Sequence, residues 1–150
     1  MTNSSHVSVA RGRNPEQIKK MEEAKRRGIC CLCKEHIDGI LDAPVEYKGL
    51  WWTVRRNDYP YEGTEFHYMA VYREHIENIE EMAPDAMREL HQHISAIKKK
   101  HGAPAIVLVM RTGAMDYTWA TLSHLHAHIF LGGPKRDGAE PLLVYAGYKK

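Results

Sequence analysis

No apolar run in this 150-residue sequence approaches the length that a membrane-spanning helix needs. The segment Met1–Gly12 has no apolar core of the kind a secretory signal requires. The sequence therefore predicts a cytoplasmic protein with no membrane partner. Cysteine is scarce: all three fall between Cys30 and Cys33, so they do not make a disulfide framework. In a reducing compartment such a cluster more often serves metal or redox chemistry. Neither sign of charge dominates, with 21 Lys+Arg against 19 Asp+Glu well mixed along the chain. That balance gives no case for a dedicated nucleic-acid partner, while a mildly basic chain still suits small anionic ligands. Internal repeats, low-complexity stretches and a second-domain linker are also missing. What is present, 43% hydrophobic residues, suits one compact domain with a single core. We place that domain at 14–150, after a polar tail at 1–13 that is expected to be disordered.

The elements follow from caps and periodicity. Asn14-Pro15-Glu16-Gln17 reads as a helix start, with Asn14 as N-cap, Pro15 in the first turn and Gln17 closing a capping box. Ile18, Met21 and Ala24 recur on one face and Gly28 ends the helix; Lys19, Lys20, Glu22 and Glu23 form its solvated side. Val45–Tyr47 and Leu50–Arg55 read as strands joined at Lys48-Gly49, and Phe66–Tyr72 as a third after the Asn57–Pro60 loop. Met87, Leu90, Ile94 and Ile97 mark a long helix over Pro84–His101, stopped by Gly102. Ala105–Met110 is a further strand, and Leu142–Tyr145 is expected to add a short last one. Strands on both sides of one long helix predict an α+β domain with an antiparallel sheet, one long helix and an extra N-terminal helix.

The most informative stretch is His124-Leu125-His126-Ala127-His128-Ile129-Phe130. On a strand, alternate side chains share a face roughly 6.5–7 Å apart, so three imidazoles line up with Leu125, Ala127 and Ile129 behind them. A wet strand face ordinarily carries Thr, Lys or Glu; three groups titrating near neutrality, at a spacing that suits a bridging phosphate-sized group, suggest phosphate chemistry. The alternative is a fortuitous surface histidine cluster or a metal site without chemistry.

This stretch satisfies the His-φ-His-φ-His-φ-φ signature, φ being apolar, and so resembles the histidine-triad (HIT) family of nucleotide hydrolases and transferases. Gly132-Gly133 resembles the turn that follows it in several members. Phe66–Ile76 resembles the family's strand ending in Pro-x-x-His, with Tyr72 at the usual proline and His75 at the histidine. Cys30-x-x-Cys33 resembles the pair found in zinc-bearing members. The resemblance spans roughly residues 28–133 and predicts a HIT-like fold.

The resemblance implies that His126 is the nucleophile. A neutral imidazole whose first nitrogen donates to a backbone carbonyl has its second nitrogen aimed and basic, able to attack an α-phosphorus and form a nucleotidyl-histidine. His128 and His67 are then expected near the phosphate, donating to its oxygens as charge develops. For His67 the rival is a plain strand histidine against aromatic neighbours. Cys30, Cys33, His75 and His124 are the implied ligands of a closed, structural zinc site. A redox Cys-x-x-Cys competes, but no thioredoxin-like context surrounds it. Asn57 and Asp58 are candidates for holding ribose hydroxyls, although loop Asn and Asp are also ordinary turn formers. Thr121 fits a phosphate-contact position. Trp51 and Trp52 point to opposite faces, and one belongs to the core. His6, His36, His91, His93 and His101 read as surface residues. The usual Gln before the triad and an Asn on the preceding strand are missing; Arg111, nearby, can supply phosphate charge instead.

The expected protein is a hydrolase or nucleotidyl transferase acting on nucleoside phosphoramidates or dinucleoside polyphosphates, with structural zinc, no catalytic metal and a homodimeric assembly. The alternatives are a dinucleoside polyphosphate phosphorylase and a non-catalytic nucleotide-binding module. A purely structural zinc protein is a third, and requires His126 and His128 to be ligands too.

Overall fold

The computed structural model describes residues 6–150. Five strands form one antiparallel sheet in the order β1-β2-β3-β5-β4: β1 (Val45–Lys48), β2 (Trp52–Arg56), β3 (Thr64–Tyr72), β4 (Val107–Met110) and β5 (His126–Gly132). Among the described residues four α-helices accompany it: α1 (Pro15–Arg27), the short α2 (Ile37–Ile40), the long α3 (Pro84–His101) and the short α4 (Met115–Thr118). The architecture is the α+β class expected from the sequence.

The ends of α1 and α3 follow their capping chemistry. The Asn14 side chain accepts from the Gln17 N–H at 2.8 Å, while the Gln17 side chain reaches back to the Arg13 N–H at 2.7 Å, one residue before the cap. Gly28 and Gly102 close the two helices with φ of 65° and 55°, a conformation costly to residues with a Cβ.

The register decides what each sheet face carries. Val71 lies opposite His126, Met69 opposite His128, and His67 opposite Phe130, so these six share one face. Trp52, Val54, Tyr68, Ala70, Tyr72, Ala127 and Ile129 occupy the other, packed with Ala86, Leu90 and Ile97 of α3. Trp52 is the core tryptophan, its indole N–H donating to the Ala86 carbonyl at 2.8 Å. On the first face, Cys30, Leu32 and Ile37 cover Met69 and Val71.

Several expectations need correction. Residues 1–5 of the expected disordered tail lie outside the described residues. Residues 6–13 are anchored to the domain although Ala10 and Arg13 are exposed: Val7 is buried and bridges to Leu122, and the Ser8 N–H donates to the Thr121 carbonyl at 2.8 Å. Leu142–Tyr145 forms no strand; it runs past Arg111 and Trp119 instead of pairing with the sheet. Met87 is exposed, and Ala86 takes the core position on α3. His101 stacks on Phe66 with ring centroids 4.2 Å apart and lies 3.0 Å from the Tyr68 hydroxyl; it is not a plain surface residue. His93 packs against Tyr47 and Glu89, and His6 against His75 and Ser123. No described helix is long and apolar enough to cross a membrane.

Candidate active site

The structure brings His67, His126 and His128 together. His126 and His128 project from β5 and His67 from the neighbouring β3, with ring centroids 5.1 Å apart for both His126–His128 and His67–His128. All three are nearly buried, and burial is the main reason their pKa values fall below the ordinary histidine range. For His67 it lowers the value to about 3, with Arg13 adding to the effect. Neutral rings follow, each with one N–H and one lone pair, and the neighbours assign which nitrogen carries which.

At His126, Nδ1 lies 2.7 Å from the His124 carbonyl oxygen, an acceptor only. The proton is therefore on Nδ1 and the lone pair on Nε2. At His67 the assignment is reversed: the Tyr61 N–H donates to Nδ1 at 3.0 Å, which puts the ring proton on Nε2. That Nε2–H faces His128 Nδ1 at 2.9 Å and makes it the acceptor. His128 then carries its own proton on Nε2. One backbone N–H thus fixes two histidines in sequence, and adjacent rings on β5 hold opposite tautomers.

Two cavities meet at His128 and Thr121. One runs from these residues to Arg13, Met69, Asn57 and Asp58, against α1. The other runs to Arg13, Tyr61, Arg111, Trp119 and Tyr145. Asn57 and Asp58 already have backbone partners. Asn57 Oδ1 accepts from the Tyr59 N–H at 2.8 Å, and the Asp58 oxygens accept from the Asp42 and Ala43 N–H groups at 2.8 and 2.9 Å. They build the loop walls of the first cavity, as turn formers do.

His124 precedes β5 instead of belonging to it, and turns away from His126. Its Nε2–H donates to the Tyr72 carbonyl at 2.6 Å, leaving Nδ1 free to bind. Around that atom stand Cys30 Sγ at 3.5 Å and Cys33 Sγ at 3.7 Å, with His75 Nδ1 a further 3.3 Å from Cys33. All four donor atoms lie within 4.8 Å of one another. Tetrahedral zinc, with bonds of about 2.3 Å to sulfur and 2.0–2.1 Å to nitrogen, sets S···N separations near 3.5 Å. Two sulfurs and two imidazoles at this spacing fit that ion. Glu77 lies 3.5 Å from His75 Nε2, the outer partner that a ligating histidine ordinarily has. His126 and His128 stand apart from this cluster.

The fold is similar to that of several solved structures. A histidine triad protein from Clostridium difficile superposes with a TM-score of 0.55 and 22% identity, over 74% of this chain and 96% of that one. A HIT family hydrolase from Clostridium thermocellum gives 0.54 and 23%, over 76% and 96%. A Zn-bound histidine triad family protein from Mycobacterium smegmatis gives 0.53 and 18%, over 80% and 84%. The chain has the histidine-triad fold. No known family profile matches it, and no curated protein does.

Within the histidine-triad fold, the Tyr72 departure has a local use. The Tyr72 N–H donates to the Leu125 carbonyl at 3.1 Å, a bond that proline cannot make. The sequence reading missed Tyr61 and Arg13. Tyr61 supplies the N–H that orients His67, and its ring lies 4.4 Å from His67 and 5.4 Å from His128. No motif marks it. Arg13 was assigned to the tail, yet its guanidinium sits 4.8 Å from the Tyr61 ring centre and donates to the Tyr59 carbonyl at 2.7 Å.

Proposed function

We propose that this protein is a HIT-family nucleotide hydrolase or nucleotidyl transferase with His126 as its nucleophile, acting on nucleoside phosphoramidates or dinucleoside polyphosphates. The opposite tautomers of His126 and His128 carry the reading. A lone pair on His126 Nε2 can attack an α-phosphorus; an N–H on His128 Nε2 can donate to an oxygen that gains charge in the same step. The N–P bond forms as the bond from phosphorus to the leaving group breaks, with both bonding electrons going to the leaving group, which departs as a phosphate anion or, from a phosphoramidate already protonated on nitrogen, as the neutral amine. The Nδ1–H donation to the His124 carbonyl supports the positive charge on the nucleotidyl-imidazolium. Water or another acceptor then attacks phosphorus, the N–P bond returns its pair to His126, and the proton lost by an attacking water passes to solvent.

In this reading His67 is a positioning residue that holds the tautomer of His128. Thr121 stands by the phosphate, and Asn57 and Asp58 form the wall of the nucleoside side. Cys30, Cys33, His75 and His124 would hold a zinc ion that acts structurally, joining the segment before α2 to the sheet. The Zn-bound relative supports that ion, and the relative described as a hydrolase supports the activity. The exposed Val107 and Leu108 on edge strand β4 suit a homodimer, and three free cysteines suit the cytoplasm.

The test is turnover of adenosine 5′-phosphoramidate and diadenosine tetraphosphate by wild type and His126→Ala. AMP release that falls at least roughly a thousandfold in the variant is the expected result. Folded wild-type protein that binds AMP but turns over neither compound would overturn the proposal in favour of a binding module.

A further inference from the structure

The second cavity at His128 contains a charge imbalance. Arg13 and Arg111 both line it, and no carboxylate does. Neither arginine makes an ion pair among the described residues. Arg13 donates to the Tyr59 carbonyl at 2.7 Å, and Arg111 donates to the Tyr145 carbonyl, its Nε at 3.2 Å. These partners are neutral oxygens, so neither guanidinium is matched by a carboxylate, although Arg13 also lies over the Tyr61 ring at 4.8 Å. Arg11, the third arginine on this wall, differs: it pairs with Asp116 and donates to the Met115 and Ala120 carbonyls.

A second, independent feature lies beside them. The Tyr61 hydroxyl is buried without a hydrogen-bond partner, and Tyr61, 8% exposed, lines the same cavity. A buried hydroxyl left unpartnered is costly unless something fills its site. The lining of this cavity thus holds two guanidinium groups without a carboxylate partner, no acid of its own and a buried tyrosine whose hydroxyl is unpartnered, although Arg13 and Tyr61 also border a neighbouring cavity with Glu62 and Glu140; such a lining suits a multiply charged oxyanion.

Resting on the function proposed above, we propose that Arg13, Arg111 and Tyr61 form a subsite for a second phosphate group, in the cavity that adjoins the nucleoside cavity at His128, Thr121 and Arg13. That phosphate is either the group leaving with a polyphosphate substrate or free inorganic phosphate acting as acceptor. An uncharged leaving group, such as the amine of a phosphoramidate, has no partner there.

The probe is pyrophosphate, titrated calorimetrically into zinc-loaded full-length protein. Wild type should bind it, with affinity falling about tenfold in Arg13→Gln and in Arg111→Gln. Arg111→Lys, which keeps the charge, should recover part of the loss. Absence of binding to wild type overturns the subsite, as does equal weakening in the Gln and Lys variants with lowered melting temperatures, because Arg111 is then only a tether for the C-terminal segment.

Turnover separates the two sources. A fall in kcat/KM about tenfold larger on diadenosine tetraphosphate than on the phosphoramidate supports the leaving phosphate. Loss confined to the rate stimulated by added inorganic phosphate supports the acceptor. Equal loss on both substrates, with and without phosphate, overturns the subsite. Arginine-dependent pyrophosphate binding without any turnover leaves the subsite standing and removes the enzyme reading; turnover without pyrophosphate binding does the reverse.

Discussion

The chemistry of individual nitrogen atoms carries this account. His126 and His128 are two residues apart with the same side chain, yet one presents a lone pair and the other an N–H, because different groups occupy their Nδ1 atoms. For His128 the Tyr61 N–H sets this through a single intervening ring, that of His67. His67→Phe keeps an aromatic ring between Tyr61 and Phe130 but cannot donate to His128. We expect kcat to fall about a hundredfold with a smaller change in KM. Nitrogen chemical shifts of His128 should move from the single Nε2–H form to a tautomer mixture, which a purely structural role would not produce. The pH dependence has a definite sign. His67 is held at about 3 in the fold, below its ordinary 6.5, by burial first and then by Arg13, with His128 and Tyr61 also facing it. The unfolded chain therefore binds more protons below pH 6.5. His67 costs nothing above that value, and stability falls as pH drops from 6.5 toward 3, by up to about 1.4 kcal/mol per unit. Urea titrations across that range should show the slope, and His67→Phe should reduce it.

At the scale of elements, the two main helices were legible because their signals are local. Asn14, Pro15 and Gly28 bracket α1, and Pro84 and Gly102 bracket α3, in positions that sequence alone displays. The alternating histidines likewise gave β5 and the face shared by His126 and His128. What failed depended on distant partners. The packing of residues 6–13 needs Thr121 and Leu122, and the fate of Leu142–Tyr145 depends on Arg111 and Trp119. Asn57 and Asp58 were visible as polar loop residues, but nothing local reveals that their oxygens serve Tyr59, Asp42 and Ala43. Glu89 of α3 carries no signal in the sequence. Its carboxylate accepts from the N–H groups of Leu50, Trp51 and Trp52 and ties α3 to the start of β2. Glu89→Ala leaves these donors without their charged acceptor and should destabilise the fold by about 2–3 kcal/mol in chemical denaturation. Because α3 lies on the sheet face opposite the histidines, kcat should be unaffected.

At the scale of the whole molecule, the four donors Cys30, Cys33, His75 and His124 come from three separate stretches of chain and meet at one point. A zinc ion there would join the segment carrying α1 and α2 to the strand that presents His126. Elemental analysis should find about one zinc per chain, and Cys33→Ser should lose it with a lowered melting temperature. Chelation should loosen that segment, increasing amide exchange around Leu32 and Ile37 more than in α3. Zinc retained by Cys33→Ser, or lost on changing His126, would place the metal elsewhere. The central claim, however, is a covalent bond between phosphorus and His126, and the stereochemical course at phosphorus tests it most directly. One diastereomer of an adenosine 5′-phosphorothioate substrate would be hydrolysed in isotopically labelled water and the configuration of the product determined. Two successive in-line displacements, first by His126 and then by water, predict overall retention; inversion would mean that water attacks the substrate directly and would contradict the account.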